Sequence, residues 1–211
     1  MRPGRQSRSL GVRARRWLRG FRPDPAERAR REIAERVYRD LVKQARTPLF
    51  YRDLGVPDTP EGRFEMVGLH VALVVRRLRF TGEPGRALAQ ELFDLLFADV
   101  DEGLRHIGIG ELSVGKHVKR LAGYFYARLR ALDDALDAAP GAPLAPTLRT
   151  NVYHGALTPP SESQLAALAS YLVAARAALR AHTTVGMLAG DIAWVPAEAA
   201  RDQAECDNSK D

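Results

Sequence analysis

Residues Pro60 to Phe80, PEGRFEMVGLHVALVVRRLRF, are apolar on two opposite sides of a helix. Phe64, Val67, Val71, Val74 and Leu78 form one stripe; Met66, Leu69, Leu73 and Phe80 form the other. A surface helix needs a single apolar stripe, so a helix with two must lie at the centre of its domain. Thr59 is placed as its N-cap, Pro60 as its first residue and Glu61 as a first-turn carboxylate. Between the stripes, Arg63, His70 and Arg77 recur every seventh residue, nearly two turns, and so share one column. His70 is expected to be a buried helix histidine with a hydrogen-bond partner.

The rest of the chain has the same period and no convincing strand alternation. A first helix is predicted from Pro25 to Ala45, with Ile33, Val37, Leu41 and Val42 inward and Thr47-Pro48 as its stop. LFYRDLGVPD, from Leu49 to Asp58, is a turn-rich connector. Gly82 and Pro84 break the chain before a helix from Gly85 to His106. Ser113 is placed as the cap of the next helix, which runs to Ala138 with Val118, Leu121, Phe125, Leu129, Leu132 and Leu136 inward. After the linker AAPGAPLAP come a short helix over Leu144 to Tyr153 and a capping box, Ser161 with Gln164, that opens a helix to Ala181. The end adds one short turn and an extended IAWVP that lays Trp194 on the body. The expectation is an all-α single domain of about six helices around the 60–80 helix, spanning residues 25–196.

Charge divides the chain differently. The first 22 residues hold eight arginines and no acid. Without them the 32 basic residues fall to 24 against 26 acidic ones, so the body is near neutral. Residues 1–24 read as a basic arm and residues 197–211, with five acids and two bases, as an acidic disordered tail. Arg13, Arg15, Arg16, Trp17 and Arg19 are the arm's candidate contacts with anionic lipid or RNA; a transit peptide and a tail without a role are the other readings. The longest apolar run, VGLHVALVV, has nine residues, far below the ~20 a bilayer needs.

GIGELSVGKHVKR, residues 108–120, fits the first seven positions of a phosphate loop at Gly110, Gly115 and Lys116. His117 follows Lys116, so the hydroxyl that would hold magnesium is absent, and the segment leaves a helix rather than a strand. The better reading is a tight helix–helix turn at Gly108 and Gly110. Lys116, His117, Lys119 and Arg120 then sit in the first turns of a helix, against its macrodipole. Either Asp99, Asp101 and Glu102 neutralise them across the turn, or an acidic or nucleic-acid partner does. Asp94, Asp99, Asp101 and Glu102 do not make a metal site, because residues two apart on a helix point nearly opposite ways; they are expected to meet the Arg63–His70–Arg77 column or solvent. The five histidines lack zinc-ligand spacing, and Cys206 has no local cations to activate it. No catalytic, metal or cofactor residues are assigned.

LFYRDLGVPDTPEGRFEMVGLHVALVVRRLR, with LFDLLFADVDEGLRHIGIGELSVGKHVKRLAGYFYARL, resembles the ubiquinol–cytochrome c chaperone family. NVYHG and LAALASYLVAARAAL fit the family's C-terminal part, so the likeness spans residues 26–196. The chain departs from it at RHIGIGEL, where REMGVGDL is usual, so His106 stands for an acid. The resemblance implies a helical, non-catalytic assembly factor of the respiratory cytochrome bc complex, complex III, without cofactors. It implies nascent cytochrome b as client, a small protein partner, and proximity to the ribosome and the anionic inner-membrane surface. No specific DNA binding is expected. The composition looks proteobacterial, which implies the bacterial cytoplasm, peripheral to the inner membrane; the mitochondrial matrix side is the alternative. A helical ribosome- or RNA-associated factor without a cytochrome b client is the other function considered.

Overall fold

A computed structural model of the chain describes residues 24–106, 111–137 and 144–198, without the side chains of Leu104, His106 and residues 111–121. These residues form eight helical segments: α1 (Pro25–Ala45), α2 (Pro48–Arg52), α3 (Pro60–Leu78), α4 (Gly82–His106), α5 (Glu111–Asp137), α6 (Ala145–Asn151), α7 (Glu162–Ala181) and α8 (Thr184–Ala189). The fold is all-α, as its periodicity predicts.

The Asp24 side chain accepts from the Ala26 N–H at 3.2 Å, with Pro25 at the first position of α1. Ala34, Val37, Leu41 and Ala45 are buried, and Ile33 and Val42 pack at the edge of the core. Pro48, which stops α1, also opens α2 inside the stretch expected to be a connector. A proline is tolerated at a first helical position, where its missing N–H would be unpaired anyway.

Helix α3 is the central element. It packs against α1, α4, α5 and α7, and every residue from Met66 to Val75 is buried. Thr59 accepts from the Gly62 N–H at 3.1 Å, as a cap should. Its far end differs from expectation. The helix stops at Leu78, and Phe80, placed inward by periodicity, is 78% exposed. Thr81 closes this corner by donating to the Leu78 carbonyl, and Gly82 turns the chain with φ of +81°. Helix α4 therefore begins at Gly82 rather than Gly85, with Pro84 in its first turn.

Helix α5 begins at Glu111, so Ser113 lies inside its first turn instead of capping it. A carboxylate at the first position suits the positive end of the helix. Contacts advance in step along α3 and α5, from Gly68 on Phe125 to Arg76 on Asp133, so the two helices run in the same direction. Phe125 meets the rings of Phe64, Phe93, Phe97 and Tyr126 at 5.8–6.4 Å, which ties α3, α4 and α5 together.

The capping box at Ser161 and Gln164 forms in both directions and starts α7. Beneath α7 lies the polar centre of the core. His70 Nδ1 is 2.7 Å from the Met66 carbonyl, and Nε2 is 2.8 Å from the Tyr171 hydroxyl. Gln44 Nε2 donates to the same hydroxyl at 3.0 Å and to the Val195 carbonyl at 3.1 Å. Trp194 packs on His70 with ring centroids 5.0 Å apart, so the C-terminal segment does lie on the body.

Candidate interaction surface

Beyond its contact with Gly68, α5 leaves an open cleft of about 630 Å³ against the α3–α4 corner. Phe80 and Tyr126 stand at its sides, 78% and 49% exposed. Arg130 and Asp134 line the α5 wall, and Arg76, Asp133 and Asp137 make the charged floor.

The floor has a reason in the sequence. Asp133, Asp134 and Asp137 occupy the last two turns of α5, whose carbonyl end is already negative, and the last turn holds no cation. Three arginines come from other helices. Arg76 binds Asp133 at 2.7 Å and also reaches Asp137; Arg79 binds Asp133 at 3.0 Å. Arg176 of α7 contacts Asp137 at 3.3 Å and donates to the Leu136 carbonyl. The Arg76 guanidinium holds the Asp137 carboxyl below its ordinary range. Because Arg76 is only 14% exposed, this network is a tertiary lock rather than a loose surface pair.

The column Arg63, His70 and Arg77 separates into three environments. Arg63 is exposed and paired with Asp58 at 2.6 Å. His70 is fully buried. Arg77 donates to the Leu179 and His182 carbonyls at 3.2 and 2.8 Å, closing the end of α7. Three acids of α4, Asp94, Asp99 and Asp101, have partners other than this column. Asp94 accepts from Gln90 at 2.8 Å, Asp99 from Tyr38 at 3.0 Å and Asp101 from Arg105 at 2.8 Å, each on its own solvent-facing side. The helices that place α4 beside α1 turn Asp99 toward Tyr38 and away from Arg63.

Lys116, His117, Lys119 and Arg120 fall in the first turns of α5, with side chains outside the described residues. Gly108 and Gly110 lie outside them altogether, as do Arg13, Arg15, Arg16, Trp17 and Arg19. Among the described residues no three His, Cys, Asp or Glu side chains are grouped to hold a metal ion, and no helix is long and apolar enough to cross a membrane. Sequence reasoning missed the cleft because it placed Phe80 inward. The available signal was the row of aspartates at the wrong end of α5.

Residues 52–194 match the family model for the ubiquinol–cytochrome C chaperone. The chain belongs to the ubiquinol–cytochrome c chaperone family. The crystal structure of the Cbp3 homolog from Brucella abortus is similar to it at a TM-score of 0.73 and 37% identity, over 81% of this chain and 93% of that one. The chain is 22% identical over 103 residues to the ubiquinol-cytochrome-c reductase complex assembly factor 1 of Xenopus laevis, and 23% to that of Mus musculus. Each match covers 49% of this chain, and the chain spans 52% and 35% of those relatives. The resemblance carried by LFYRDLGVPD and LFDLLFADV is thereby borne out. The matched chaperone segment contains α3, α4, α5 and the whole cleft, whereas α1 precedes it.

Proposed function

We propose that this chain is a non-catalytic chaperone in assembly of the cytochrome bc complex, receiving or stabilising newly made cytochrome b. The match of residues 52–194 to the chaperone family carries the reading. The geometry agrees with it. A protein that shields an apolar client needs exposed apolar contacts beside polar groups, not a nucleophile with a positioned base. Phe80 and Tyr126 over a charged floor supply that surface. His70, the buried titratable group of α3, does not line the cleft; both its ring nitrogens serve the core.

In this reading residues 25–196 hold the client, and Lys116, His117, Lys119 and Arg120, with Gly108 and Gly110, make a second partner contact. The arm of residues 1–24 holds the protein beside an anionic membrane surface or ribosome, through Arg13, Arg15, Arg16, Trp17 and Arg19. Ala197, counted with the tail by its composition, is buried in the core. The chain works in the bacterial cytoplasm, peripheral to the inner membrane, with or without a small protein partner.

Photo-crosslinkers placed singly at positions 80, 126 and 116 test this in native membranes making cytochrome b. Crosslinks from positions 80 and 126, and not from a control at Val173 on α7, are expected. Labelling of cytochrome b from Val173 alone, or from none of these positions while the complex assembles, overturns the proposed surface.

A further inference from the structure

We infer that the solvent face of α1 docks on an anionic phospholipid bilayer. Arg39, Lys43 and Arg46 follow one another at four and three residues, so they share one row of the helix. All three are exposed. None has a hydrogen-bonding or ion-pairing side-chain partner among the described residues. Arg28, three turns earlier and also exposed, extends the row to about 27 Å by helix rise.

The cations beside this row behave differently. Arg30 binds Glu91 at 3.3 Å, Arg31 binds Glu35 at 3.0 Å, and Arg36 donates to the Ala189 carbonyl. Free cations are therefore concentrated on the outward line, where Glu32 and Glu35 lie within the row, Glu35 paired with Arg31, and Asp40 lies beside it. The last-turn position of Lys43 suits the macrodipole; Arg39, in mid-helix, has no such explanation.

A straight row along a helix touches a plane along its whole length. Lysine and arginine can lay their aliphatic stems on the surface while their charges meet lipid phosphates. Single-stranded RNA would call for exposed rings to stack on. The aromatic residue of α1, Tyr38, is half-buried with its hydroxyl on Asp99. The row lies before residues 52–194, the segment that matches the family model.

The test uses the full chain with Arg39, Lys43 and Arg46 all replaced by glutamine. Partition is titrated on phosphatidylcholine vesicles with and without phosphatidylglycerol. A control chain carries R52Q, R63Q and R86Q, the same loss of charge at cations elsewhere that already pair with Asp53, Asp58 and Glu83. Each basic residue near an anionic leaflet contributes roughly fivefold in partition, so the α1 triple should lose about a hundredfold on anionic vesicles. The control should change by less than fivefold, and neutral vesicles should bind neither. Equal losses in both triples make the effect one of net charge and overturn the proposal. Unchanged vesicle partition with lost binding to purified ribosomes makes the face an RNA surface and overturns it too. No client is present in the vesicle assay, so its outcome is independent of the crosslinks that test the chaperone reading.

Discussion

The Tyr171 hydroxyl, on α7, donates to Nε2 of His70, on α3, across 2.8 Å. The direction follows from the other end of the ring. The Met66 carbonyl can only accept, so Nδ1 carries the imidazole proton and Nε2 must accept. Tyr171 in turn accepts from Gln44 of α1. Three helices are joined through one neutral histidine, enclosed by the rings of Phe50, Tyr171 and Trp194 at 5.9, 5.7 and 5.0 Å.

Burial lowers the pKa of His70 from 6.5 to about 4. Above pH 6.5 the ring is neutral in both folded and unfolded chains, and its full contribution is present. Between pH 6.5 and 4 the unfolded chain takes up a proton that the folded chain refuses, so stability falls by about 1.4 kcal/mol per pH unit. Urea unfolding at several pH values should show wild-type stability dropping toward His70→Gln over this window, with the gap largest near neutrality. Parallel pH profiles would remove His70 as the cause. Tyr171→Phe, which leaves Nε2 without a donor, should cost about 1–3 kcal/mol at pH 7.

Gly68 sets the closest approach of α3 to α5. A Cβ added there would stand 2.8 Å from Phe125 Cε2. Alanine would gain about 1 kcal/mol in helix propensity. Against this, Phe125 is held by four neighbouring rings, and overpacking a core costs about 1–3 kcal/mol. The steric loss should win. Gly68→Ala is expected to lower the melting temperature, whereas Gly123→Ala in the middle of α5, with open space around its Cα, should hold or raise it.

Arg76 spans two turns of α5 by meeting both Asp133 and Asp137. Arg76→Ala would leave Asp133, itself only 17% exposed, with Arg79 alone. A loss of about 2 kcal/mol is expected, between the values for surface and buried pairs. Lysine at position 76 should recover less than half of it, because an ammonium lacks the planar fork that serves two carboxylates. Denaturant titrations of the three proteins decide this; full rescue by lysine would mean that charge alone matters.

Phe80 is largely exposed, so Phe80→Ser should leave the melting temperature within about 1 °C while reducing cytochrome b crosslinks from position 126. Unchanged crosslinking with normal complex III levels would take the cleft out of the proposed function.

Lys116→Ala with Lys119→Ala separates the two readings of the basic end of α5. If those lysines face a partner, the double variant should fold with unchanged or slightly raised stability and fail to support cytochrome b accumulation. A fall in melting temperature would point instead to internal ion pairs.

Local chemistry made some helix starts legible. Thr59 before Pro60 and Ser161 with Gln164 act within three residues, so the sequence alone located the starts of α3 and α7 with their caps. The central position of α3 also followed, since two apolar stripes need two sets of neighbours. Other outcomes depended on where distant helices came to lie. The heptad of Arg63, His70 and Arg77 looked uniform, yet one end stayed in solvent, the middle met Tyr171 and the other end met the carbonyls of α7. Phe80 kept its periodicity but lost its helix, because the corner through Thr81 and Gly82 turned the chain first. Asp133 and Asp137 opposed their own helix until Arg76, Arg79 and Arg176 arrived from α3 and α7. A cap is chosen by its immediate neighbours, whereas burial and charge pairing are chosen by helix crossings between residues 39 to 127 positions apart.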